Sequence, residues 1–158
     1  MPACVFPNHQ EAPGWICAEP VAGLELQAVG VADKSVAGLN YMRDLAEMAA
    51  VKQLTELFKI RTAKVVTQYL TTIQVDNAQA LKAGQSTVHT ISNKTLAGVQ
   101  QYQSQIGPEG RMYVLVGLDK QELSSLTHAA VKTSMQNDPA LWEGLQTQKS
   151  LAEIAAMD

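Results

Sequence analysis

Two cysteines, three histidines and scattered carboxylates are the residues of this 158-residue chain whose types could do chemistry. Cys4 and Cys17 both fall near the N-terminal end, and no other cysteine follows. In an exported protein such a pair serves as a disulfide or as a modified cysteine, and in a cytosolic one it arises by chance. Cys17, beside Trp15 and Ile16, reads as a small buried hydrophobe rather than a nucleophile. His9, His89 and His128 have no second ligand at metal-binding spacing, so no zinc site is expected. A Cys–His nucleophilic pair would need Cys17 to meet a distant histidine, and no spacing indicates it. Asp44 with Glu47, and Asp119 with Glu122, are spaced as helix-surface or capping charges, whereas catalytic carboxylate pairs need a cleft and opposed pKa shifts. Gly107-Pro108-Glu109-Gly110 is a hairpin turn and not a phosphate loop, because its proline removes one of the N–H donors. The expectation is a protein without catalytic residues, cofactor or metal. The question moves from catalysis to scaffolding and binding.

Composition narrows the setting. At 46% hydrophobic the chain is an ordinary globular one, while 17% charged and 5% aromatic are low. Gln, Thr, Ser and Asn carry the polar balance instead. A net charge of -3 supplies no basic footprint for nucleic acid. No stretch approaches the ~20 apolar residues of a membrane-spanning helix. Met1-Pro2-Ala3 has neither the charged nor the apolar part of a signal peptide. The length suits one domain with a real core. It reads as an N-terminal arm (1–20), an α+β domain (21–136) and a C-terminal helix (137–158).

The elements that must position any site follow from periodicity. Residues 1–20 hold four of the six prolines and read as a tether or an arm across the surface. Leu24 to Asp33 reads as a strand broken near Gly30, and Ser35 as the N-cap of the next helix. Leu39, Met42, Ala46, Ala49, Leu54 and Leu57 recur at helical spacing up to about Phe58. The alanines in that line let the helix lie close against a sheet. Ile60 to Gln68 is rich in β-branched residues and is expected to be a strand. Asn77 to Leu96 resembles a polar helix interrupted around Gly84. Val99 to Gln105 is a one-sided strand, which the Gly107–Gly110 turn pairs with Met112 to Leu118. Asp119 and Glu122 open a helix carrying Leu123, Leu126, Ala130 and Val131. Asp138-Pro139 opens the last one. The expected class is α+β, a small antiparallel or mixed sheet of about four strands with helices on one face, plus a C-terminal amphipathic helix.

Two clusters are candidates for self-association. Gln101, Gln103 and Gln105 lie on one side of their strand and can donate and accept across an interface, or face solvent. Leu141, Trp142 and Leu145 in the last helix pack on their own domain or on a neighbouring copy.

Pro13-Gly14-Trp15, the strand ending Val29-Gly30-Val31-Ala32, the Ala-rich helix, Thr95-Leu96-Ala97-Gly98-Val99 and Gly110-Arg111-Met112-Tyr113-Val114-Leu115-Val116-Gly117-Leu118 occur in an order that resembles a known family. It is the LPP-twenty family of small bacterial outer-membrane lipoproteins, which includes FlgP-like proteins of the flagellar basal region. The likeness covers roughly Pro13 to Ala130, and its motifs are hydrophobic and glycine-based. The resemblance implies an α+β fold, export, and a lipid on the first cysteine of the mature protein. Ala3-Cys4 matches the end of such a processing site, which makes Cys4 the lipid-attachment candidate. In FlgP-like members many copies form a ring or disk under the outer membrane. Homo-oligomerisation, a periplasm-facing outer-membrane location and flagellar basal-body partners follow as expectations. The competing expectation is a monomeric periplasmic binding module for a peptide or cell-envelope glycan.

Overall fold

The computed structural model describes residues 4–72, 74–96 and 98–135. Its regular elements are β1 (Leu26–Ala32), α1 (Leu39–Thr72), α2 (Asn77–His89), β2 (Gln101–Ile106), β3 (Met112–Leu118) and α3 (Lys120–Met135), with short 3₁₀ helices at Gly14–Cys17 and Asn93–Leu96. The α+β class holds. The chain divides into two compact units, Met1–Leu54 with Leu96–Asp119, and Thr55–Thr95 with Lys120–Asp158. The stretch read as one α+β domain is therefore shared between both. The expected last helix lies outside the described residues.

The first unit is built on a three-stranded antiparallel sheet in the order β1-β3-β2, not the four strands expected. β3 is central, and all seven of its residues are buried. Leu26 pairs with Leu118 and Ala32 with Met112, so β1 runs through Gly30 without the expected break. Ala28, Gly30 and Ala32 are buried on one side of β1. At that side α1 places Met42, Ala46, Ala50 and Leu54, all buried and four residues apart, so they recur on one helix face. A Cβ added to Gly30 would collide with the Ala46 carbonyl and lie 2.5 Å from the Ala50 nitrogen. Helix backbone here touches strand backbone, which only glycine against alanine allows. The expected sheet-packing of the Ala-rich helix is present in its first half. Ser35 caps only the turn ahead of it, its hydroxyl accepting the Ala37 N–H at 3.1 Å. The helix itself begins after Gly38, whose φ of 107° favours glycine.

The second unit corrects the strand expected over Ile60 to Gln68. That segment is the second half of α1, and α1 runs on to Thr72. Val65, Val66, Tyr69 and Leu70 are all buried, two adjacent pairs four residues apart. A strand would alternate them between faces, but a helix brings them to one side. They form one core with Ala80 and Ala83 of α2 and Val131 of α3. The threonines that raised the strand propensity suit the helix by bonding back to it. Thr71 and Thr72 donate to the carbonyls of Thr67 (2.8 Å) and Tyr69 (2.6 Å). α2 also runs unbroken through Gly84, where the sequence suggested an interruption. A Cβ on Gly84 would approach Thr67 Oγ1 to 2.7 Å and the Ala63 carbonyl oxygen to 3.1 Å, so this glycine sets a close helix crossing.

Gly30→Ala is expected to cost about 2 kcal/mol or more, because the added methyl meets helix backbone that has no rotamer with which to yield. Denaturant unfolding of the variant against the parent chain measures this, and an unchanged midpoint would refute the close packing.

Candidate functional site

The N-terminal arm is folded. Val5 and Glu11 form an antiparallel bridge. The Phe6 N–H donates to the Gln10 carbonyl at 2.8 Å, and the turn between them carries His9 at φ 69°. Asn8 Oδ1 accepts the Gln10 N–H at 3.1 Å, a local side-chain bond of the kind that fixes turns. The 3₁₀ helix Gly14–Cys17 follows, ended by Ala18 at φ 67°. Cys4 and Cys17 are joined as a disulfide, their Cα atoms 5.7 Å apart. Cys4, Phe6, Ala12 and Tyr113 are buried together, with Trp15, Ile16 and Val29 packed against them. The Phe6 and Tyr113 rings meet at 5.6 Å between centroids, tilted by 56°. Val29 pairs with Leu115 and Val31 with Tyr113, which puts these residues on the sheet face opposite Gly30. One face of the sheet carries α1 and the other carries the arm.

This geometry bears directly on the lipid expected at Cys4. A thioether to diacylglycerol needs the Cys4 sulfur, and here that atom is bonded to Cys17. Sulfur in a disulfide has no valence left for an acyl-glycerol group. The two fates exclude each other on one chain, and the structure holds the disulfide.

β2 is an edge strand, paired only with β3. Gln101 pairs with Val116 but Gln103 pairs with Leu115, so Tyr102 is an extra residue that breaks the alternation. Gln101 thus shares the α1 side with Val116, while Gln103 and Gln105 lie on the arm side with Leu115 and Tyr113. The three glutamines do not form the single face expected of them. Gln101 and Gln103 are exposed and Gln105 is half-buried. Neither β1 nor β2 contains a lysine or a proline, the residues that usually blunt a sheet edge. Leu141, Trp142 and Leu145 lie outside the described residues.

In the second unit a groove of about 310 Å³ runs between the later part of α1 and α2. Ala63, Gly84 and Leu81 give it an apolar floor, with Lys64, Gln68 and Gln85 among its lining. Sequence reasoning took Gly84 as a break in a helix; the signal for a groove was a small residue on a helix face opposite Ala63. His9 sits in the arm's turn, His89 ends α2 and His128 lies on α3. Among the described residues, no group of three His, Cys, Asp or Glu side chains is arranged to hold a metal ion.

The matching family model is that of the LPP20 lipoproteins, and it covers residues 13–119, from the arm's 3₁₀ turn to the end of β3. The chain belongs to the LPP20 lipoprotein family. As an LPP20 lipoprotein it falls among lipid-anchored proteins. No curated protein and no solved structure matches it. What the LPP20 match spans is the whole sheet together with α1 and α2, while Cys4 precedes it.

The disulfide is expected to stabilise the LPP20 chain by about 3 kcal/mol, since it closes a short loop in the unfolded state. Cys17→Ser should lower the thermal midpoint accordingly, and the intact chain should weigh two hydrogens less than its reduced form. A gain of several hundred daltons on the Cys4 peptide would instead establish the thioether and remove the clasp.

Proposed function

We propose that this LPP20 lipoprotein is a structural protein of the outer membrane, facing the periplasm, whose copies assemble into a ring or disk. The flagellar basal region is the setting that the family resemblance suggests, with basal-body proteins as neighbours. On this reading it is not an enzyme. The observation that carries it is the open edge of β2: Gln103, Ser104 and Ile106 are exposed, and on the side away from β3 the straight part of the strand after Tyr102 has no strand paired with it among the described residues. An unblunted edge is a template for strand addition by another chain. The disulfide supports the location, because such bonds persist in oxidising compartments such as the periplasm. The mass measurement above decides whether the Cys4 sulfur carries the lipid or the bridge to Cys17.

Sedimentation velocity of the intact chain should show a discrete large species. Gln103→Lys with Gln105→Lys should dissociate it, as like charges brought together across an interface cost several kcal/mol. A parent chain that stays monomeric at every concentration would sink the reading.

A second reading rests on the groove of the second unit, whose volume of about 310 Å³ is at the lower end for a ligand site. There the chain would be a monomeric module for a peptide or an envelope glycan. Calorimetric titration with soluble peptidoglycan fragments tests it. Saturable binding by a monomer, lost in Leu81→Glu, would move this reading ahead, and no heat with any fragment would remove the glycan form of it.

A further inference from the structure

The first half of α1 has a second apolar line besides the one on the sheet. Tyr41, Leu45 and Met48 are 49%, 40% and 68% exposed, although each is large and apolar or aromatic. Their spacing of four then three continues by four to Lys52, which is exposed. That sequence of steps is the seam of a helix pair, with Tyr41 and Met48 at one core position and Leu45 and Lys52 at the other. The line faces away from Met42, Ala46 and Ala50, which the sheet covers. Asp44 flanks the line and is also exposed, and among the described residues neither Asp44 nor Lys52 forms an ion pair within its own chain.

We propose that this line is a self-association face, on which the α1 of a second copy packs antiparallel about a two-fold axis. The inference rests on the self-assembly reading and names a contact for it besides the sheet edge. Charge and register decide the orientation. In an antiparallel pair the two kinds of core position alternate across the interface, so Leu45 meets Met48 of the second copy and Tyr41 meets Lys52. The Lys52 ammonium then lies over the Tyr41 ring, a favourable placement for a cation, and within reach of Asp44. The two-fold repeats both contacts at the other end. A parallel pair would set Lys52 against Lys52 in the seam. The seam is short, about 16 Å from Tyr41 to Lys52. It is suited to a weak contact repeated many times, in which linked sites multiply modest affinities.

The test uses the full chain, with sedimentation equilibrium for assembly and circular dichroism for the fold. Met48→Lys should weaken association at least about tenfold, as expected of a central contact residue, with an unchanged spectrum. Asp44→Lys should weaken it too, and Asp44→Lys combined with Lys52→Asp should restore it, because the antiparallel register rebuilds the reversed pair. Under mild oxidation, copies carrying Leu45→Cys and copies carrying Met48→Cys should cross-link to each other in preference to themselves. If Met48→Lys and Asp44→Lys assemble normally while the β2 lysine variant does not, this face is overturned and self-assembly stands. A parent chain monomeric at every concentration overturns both. If Met48→Lys abolishes adhesion to phosphatidylethanolamine–phosphatidylglycerol vesicles and leaves assembly unchanged, the face belongs to lipid and the proposal fails.

Discussion

The first unit depends on one backbone contact. At Gly30 the strand meets the turn of α1 that carries Ala46 and Ala50, with no room for a single methyl group. That approach lets a three-stranded sheet bury every residue of β3, since the helix closes one face and the arm closes the other. Small residues serve here as a spacing device. They add little apolar area of their own, but they let the large neighbours Met112, Val114, Val116 and Leu118 lose contact with water. Gly84 against Ala63 and Thr67 repeats the device in the second unit, so each unit has a close crossing that a glycine permits.

Among the described residues, neither unit buries a formally charged side chain. The fully buried polar residues among those described are Thr55, Thr62, Thr87 and Thr127. Thr87 and Thr127 donate to the carbonyls four residues back, at 2.9 and 2.7 Å, which supplies a hydroxyl with a partner at no cost to packing. Arg61 reaches Thr127 Oγ1 at 3.4 Å and joins α1 to α3 within the second unit. Such an interior suits a scaffold, since burying an ion without a partner costs far more than burying a hydroxyl that bonds to its own helix.

What the sequence made legible was mostly local. The β2–β3 turn closes at Gly107, whose N–H donates to the Arg111 carbonyl at 2.8 Å, and its residues announce it. Glu122 in the first turn of α3 was equally readable, as was the alanine line of α1. The errors came where distant partners decide. Ile60 to Gln68 has strand-forming residues, and only Ala80, Ala83 and Val131 make burial of adjacent Val65 and Val66 sensible. The glutamine alternation is unbroken in the sequence, and Tyr102 becomes an extra residue only when counted against β3. The cysteines left two fates open, because a disulfide requires a Cα separation that no spacing along the chain can supply.

The disulfide also decides how the molecule bears a pull. Force applied at the N-terminal end reaches Cys4, crosses the sulfur bridge to Cys17 and enters β1, bypassing residues 5–16 altogether. The small hairpin and its Phe6–Tyr113 contact lie off the load path. With the bridge open, the same tension would peel the arm from the sheet and pay out slack, roughly 40 Å at full extension of a dozen residues. With it closed, that slack is withheld, and the sheet face beneath the arm stays covered while the chain is pulled.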